Sequence, residues 1–184
     1  MKRTIFAGLI GGVVLIIWLI IVDGILGFKR DIEMKHLSDE RLVYNFLNEH
    51  VTKPGRYVCN PEFLPGQDFP GDDPIFVVQY SGLGHSDAYQ EMLVGIIVAF
   101  LASFLGALLL ANASNRILSK FRSRLFFFSG LGTIMALFCI MTRFSIGGYP
   151  LNGALILALH DLVAWVVAGL VISWFIQPVK QEIS

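Results

Sequence analysis

Charge is scarce in this sequence. Asp, Glu, Lys and Arg make up 15% of the 184 residues, against about 25% in an ordinary soluble domain. The 14 basic and 14 acidic groups leave no basic excess for nucleic acid. A hydrophobic share of 55% excludes a disordered chain. Cysteine is scarcer still: Cys59 and Cys139 cannot make a disulfide scaffold. No Cys-x-x-Cys-His is present for c-type haem attachment, and no Gly-rich phosphate loop, nucleophile elbow or His-Glu-x-x-His occurs. What the chain has instead is long apolar runs.

Four of these runs approach the roughly 20 residues that a helix needs to cross a bilayer. They are Thr4 to Val22, Met92 to Ala111, Leu125 to Met141 (extendable to Thr142) and Leu151 to Ile176. The expected fold is mainly α and integral to a membrane, a four-transmembrane-helix bundle with a small external α+β cap between helices one and two. The corresponding division is 4–27, first helix; 28–91, external cap; 92–112, second helix; 113–124, basic cytoplasmic loop. It continues with 125–142, third helix; 143–150, short external loop; 151–176, fourth helix; 177–184, cytoplasmic tail. The first run is longer than a signal-peptide core and ends without a small-x-small cleavage site, so a retained helix is expected.

Charge distribution sets an orientation. Residues 24–91 carry six basic against eleven acidic groups, whereas Arg116, Lys120, Arg122 and Arg124 follow helix two without an acidic neighbour. Lys and Arg mark the cytoplasmic side, so both termini and the basic loop are expected there. The Asn112-Ala113-Ser114 sequon would then lie where no glycan is added.

Within residues 24–91, Ser38 is placed to cap a helix carrying Leu42, Val43, Phe46 and Leu47 at helical spacing, stopped by Pro54-Gly55. Arg56 to Cys59 and Ile75 to Tyr80 read as strands, separated by a Pro/Gly-rich loop from Pro61 to Pro74. This helix-plus-hairpin is expected to rest on the outer ends of the membrane helices, because alone it has too little core to fold.

Asp161 is the most informative residue. About ten residues into helix four, it lies roughly 15 Å along the axis, near mid-membrane. An ionisable group there costs at least about 2.5–3.5 kcal/mol, which marks it as a functional candidate. The projection puts Asp161 on one face with Ala154, Ala158, Trp165 and Ala168, pointing inward, with His160 about 100° away at the edge. Two readings stand: a proton-relay or ligand-binding pair, and a neutral Asp hydrogen-bonded to another helix. His160 is also the sole intramembrane histidine available as an axial ligand for haem or a pigment. Otherwise no cofactor and no metal are expected: His36, His50, His85 and Cys59 lack zinc-like spacing, and Asp68, Asp72 and Asp73 do not match a calcium loop.

Helix-packing signals are stronger than chemical ones. Gly8 and Gly12 form a GxxxG pair, and Gly95, Ala99, Ser103 and Ala107 line one face of helix two. Ser129 with Thr133 and the Ala154, Ala158, Ala168 stripe complete the set. Such stripes suit an internal bundle or an interface with other membrane subunits.

The first helix from Gly8 to Trp18, the external Pro54-Gly55-Arg56-Tyr57, the Phe76-Val77-Val78-Gln79-Tyr80 strand and the closing His160-Asp161-Leu162-Val163-Ala164-Trp165 form a pattern. It resembles a group of uncharacterised bacterial four-helix inner-membrane proteins, over most of the chain and through short motifs. The resemblance implies a bacterial inner-membrane location and assigns no activity. Claudin-like proteins are excluded, since residues 24–91 hold one Cys and no Trp. The expected function is a non-catalytic accessory or assembly subunit of a larger membrane complex, with the lipid bilayer and other subunits as partners. The alternative is a small transporter or lipid- or quinone-binding protein using Asp161 and His160.

Overall fold

The computed structural model describes residues 1–60, 74–143 and 148–178. The loop expected from Pro61 to Pro74, with Asp68, Asp72 and Asp73, lies almost wholly outside the described residues, as does most of the tail 177–184.

Among the described residues, four helices are long and apolar enough to cross a membrane: Lys2–Ile25, Tyr89–Ala111, Phe121–Arg143 and Leu151–Phe175. At 23 to 25 residues each they run about 34–38 Å, against a hydrocarbon core of about 30 Å. The first is α1 (Lys2–Trp18) continued by π-helical turns over Leu19–Ile25. A short α2 (Phe28–Glu33), then α3 (Glu40–His50) and the strands β1 (Gly55–Cys59) and β2 (Phe76–Tyr80) follow. The remaining helices are α4 (Ala88–Ala111), α5 (Asn115–Leu118), α6 (Phe121–Met135, extended by π turns to Ile140) and α7 (Leu151–Phe175). The third long helix starts at Phe121 rather than Leu125, so Arg122 and Arg124 belong to its first turns and not to a loop.

In space the helices run α4, α1, α7, α6, with α1 and α7 central and only slight contact between α4 and α6 or α7. Small residues make the close approaches. A methyl group on Gly8 would sit 2.8 Å from the Cα of Phe104, so α1 and α4 touch backbone to backbone there. Ala7, Ala107, Leu110, Phe128 and Ile172 form the largest buried cluster, at the end where α1 begins. We call that end proximal. Two smaller clusters, around Leu15 with Ala164 and Ala168 and around Leu157 with Ala136, carry the core toward the distal end.

The external elements behave differently from expectation. β1 and β2 pair antiparallel from Gly55↔Tyr80 to Cys59↔Phe76, as the two apolar runs suggest. The preceding helix is capped at Asp39 rather than Ser38, with no side-chain cap bond. Leu42 and Phe46 of α3 stay exposed, and neither α3 nor the hairpin contributes to a buried cluster. The element that rests on the bundle is α2, whose Ile32 packs on the Leu157 cluster and whose Glu33 accepts a hydrogen bond from Tyr149 Oη at 3.0 Å. Gly27 makes this tuck available: its φ of 67° lets the chain leave the π turns and start α2 immediately.

Candidate functional site

The distal half of the bundle holds a cluster of ionisable groups drawn from both ends of the sequence. α7 buries Leu157, His160, Ala164 and Ala168, spaced three or four apart, because α1 lies on that side. His160 therefore points into the bundle, with its side chain 2% exposed, while the Asp161 side chain is 32% exposed. This reverses the helical-projection expectation. Ala154, Ala158 and Ala168 are buried as expected, yet the centre of the contact face falls on the His160 side of that stripe.

Three elements supply the partners of His160. Trp18, the last residue of α1, donates its indole N–H to Nε2 at 3.1 Å. Asp23, in the π turns, brings Oδ1 within 3.2 Å of the same nitrogen. Asp161 Oδ1 lies 3.0 Å from Nδ1. Phe28 of α2 stacks on the imidazole with ring centroids 5.2 Å apart. Lys29, also on α2, bridges the carboxylates, with Nζ 3.5 Å from Asp23 Oδ2 and 3.7 Å from Asp161 Oδ1.

Local backbone form explains the convergence of Trp18 and Asp23. In a regular α-helix, residues five apart are rotated by about 140°, since each residue turns about 100°. Hydrogen bonds from i to i+5, such as Leu26 N–H to Ile21 O at 2.9 Å, widen the turn and bring residues five apart nearly into line. Both side chains then reach one ring on α7.

Nε2 of His160 cannot satisfy both neighbours at once. When it accepts from Trp18 it carries no hydrogen, Nδ1–H donates to Asp161, and Asp23 Oδ1 is left buried without a donor. When His160 is doubly protonated, both ring nitrogens donate to carboxylates and the Trp18 N–H loses its acceptor. The cluster thus gathers two carboxyl groups and the imidazole around one ammonium, Lys29.

The proximal half holds a second buried charge, Arg124 of α6, which is 6% exposed. Its Nε–H donates to Ser173 O at 2.9 Å and its Nη1–H to Leu118 O. Both carbonyls belong to the last turns of helices, α7 and α5, where the backbone dipole favours a cation.

The other expected site residues are placed as follows. Gly8, Gly12, Ala99, Ser103 and Ala107 are buried within the chain's own helix contacts. Gly95 departs from the expectation: it is exposed, and a methyl group added there would meet nothing within 4 Å. Cys59 and Cys139 are free. Among the described residues, no group of three or more His, Cys, Asp or Glu is arranged to hold a metal ion. A haem iron at His160 would have to displace Trp18 or Asp161 from the ring nitrogens.

Sequence reasoning missed Asp23, Lys29 and Phe28, and the donor role of Trp18. Comparison with protein-family models, with curated proteins and with solved structures returns no match, so the geometry carries the functional argument.

Proposed function

We propose that the chain is a multi-pass, non-enzymatic protein of the bacterial inner membrane, with both termini cytoplasmic, and that it is a small transporter whose coupling ion is the proton. Its span lengths and apolar character, with basic groups gathered between α4 and α6, support the membrane reading. The observation that carries the proton reading is the carboxylate on each nitrogen of His160. Asp161 and Lys29 are each about a third exposed and form the entry. The imidazole takes a proton on one nitrogen and can release one from the other, toward the more enclosed Asp23. Protonation exchanges Trp18 for Asp23 at Nε2, which shifts the end of α1 against α7 and supplies the conformational coupling a transporter needs.

The test is proton flux in proteoliposomes carrying a lumenal pH dye, after an external acid pulse. Wild-type protein should acidify the lumen faster than empty vesicles, and Asp161→Asn and His160→Gln should abolish the difference. Equal flux from wild type and both variants would remove the proposal.

A second reading, the accessory or assembly subunit, is favoured by the open small-residue surface at Gly95 and Gly130 and by the exposed Leu42 and Phe46 of α3. It predicts a partner subunit co-purifying in mild detergent. A lone monomer under those conditions would dispose of it. The helix-packing stripes give this reading less support than their sequence suggests, since most are consumed inside the chain.

A further inference from the structure

We propose that the groove at the proximal end of the bundle binds one anionic phospholipid through its headgroup phosphate. A groove of about 1070 Å³ runs between the start of α1, the end of α4 and the end of α7. One side carries Lys2 and Arg3, and among the described residues no acidic side chain lines it. Among the described residues neither Lys2 nor Arg3 pairs with a carboxylate. Asn115 adds an amide donor at the rim. The opposite wall is apolar, with Phe104, Leu108 and Ile176.

This lining has two characters within one cavity. Unpaired cations and amides suit a phosphate, and an aliphatic and aromatic wall suits acyl chain. A free phosphate would use only the first of them. The α1 helix, which has no side-chain cap, also directs its positive end at the same place. A smaller groove of about 470 Å³ on the other side of Lys2 and Arg3 is lined by Phe6 and by Trp174, an exposed tryptophan suited to a headgroup region. The proposal rests on the chain spanning a membrane but not on the proton centre, which lies at the opposite end of α1.

Native mass spectrometry of the full-length protein tests it, with dioleoyl-phosphatidylglycerol, dioleoyl-phosphatidylcholine and inorganic phosphate as separate probes. Wild type should retain one phosphatidylglycerol per chain and prefer it to phosphatidylcholine by roughly thirty-fold, the combined effect of two cations at an anionic surface. The preference should vanish in Lys2→Gln/Arg3→Gln. Leu108→Trp keeps the cations but fills the groove, so it should lose the lipid while proton flux is unchanged. Equal retention of the two lipids by wild type, an undiminished preference in Lys2→Gln/Arg3→Gln, retention of the lipid by Leu108→Trp, or binding of inorganic phosphate as tight as that of the lipid would each overturn the proposal. The Leu108→Trp result decides the matter even where loss of the N-terminal cations disturbs insertion.

Discussion

The two halves of the bundle bury charge in opposite ways. At the proximal end Arg124 faces backbone carbonyls, acceptors that neither titrate nor rotate away. At the distal end His160 faces side chains that compete for one nitrogen, and a buried carboxylate oxygen lacks a donor in one of the two states. Packing follows the same division. The proximal half holds the larger core and the closest helix approaches, while the outer part of α4, around Gly95, stands open. A buried charge with fixed partners locks a structure, whereas a ring offered more partners than it can bond at once leaves a choice of arrangements.

The comparison is open to attack, most forcefully at its rigid end. Arg124→Ala leaves the Ser173 and Leu118 carbonyls buried without donors and should cost about 2–4 kcal/mol, two unsatisfied acceptors at roughly 1–3 kcal/mol each with partial relaxation. Thermal unfolding in detergent should show a large drop in Tm that does not vary between pH 5 and 8. A pH-dependent loss would erase the distinction between the halves.

Gly8→Val comes next. It drives a side chain into the Phe104 backbone and should destabilise by about 1–3 kcal/mol. Gly95→Ala, in open space, should stay within about 0.5 kcal/mol of wild type. Equal effects at the two positions would mean that the outer part of α4 is packed after all.

Trp18→Phe removes the donor to Nε2 and should cost about 1 kcal/mol at neutral pH. In a Trp165→Phe/Trp174→Phe background, His160→Ala should shift Trp18 emission, because the indole loses its acceptor. Emission equal in the parent and in His160→Ala would show that the indole does not rest on the ring.

The smallest effect concerns the α2 tie. Burial first, then the Glu33 hydrogen bond and charge, hold the Tyr149 phenol above its ordinary value of 10.0. A raised folded value means the contribution is full below pH 10 and is lost as pH rises through the folded value. Tyr149→Phe should remove about 0.5 kcal/mol, as an exposed hydrogen bond does. It should also flatten the alkaline limb of the stability profile, measured by thermal melts from pH 8 to 11.

Much of the scaffold was legible in the chain. The four apolar runs locate the long helices because a helix able to cross an apolar medium needs nearly uninterrupted hydrophobicity. The pairing of Arg56–Cys59 with the run before Tyr80 follows from β-branched and aromatic alternation. The site was half legible. Asp161 and His160 stand out because charge is rare on an apolar helix, but which of them faces inward depends on where α1 packs, and a projection of α7 alone carries no such information. Asp23 and Lys29 were hidden for another reason. Their convergence needs a π-helical turn and a left-handed glycine at position 27, and neither leaves a periodic trace in residue order. Arg124 looked like a loop cation because its partners are backbone atoms, which no side-chain pattern records.

The distal cluster joins residues 18–29 to residues 160–161, so it has a consequence for biosynthesis. A nascent chain exposes Asp23 and Trp18 early, and their partner His160 arrives only when α7 is made. Until then Lys29 faces Asp23 without Asp161, and α2 lacks the Leu157 cluster on which Ile32 docks. Closure of the ring around His160 therefore waits for α7, and a chain truncated before it keeps Asp23 and Trp18 without that partner.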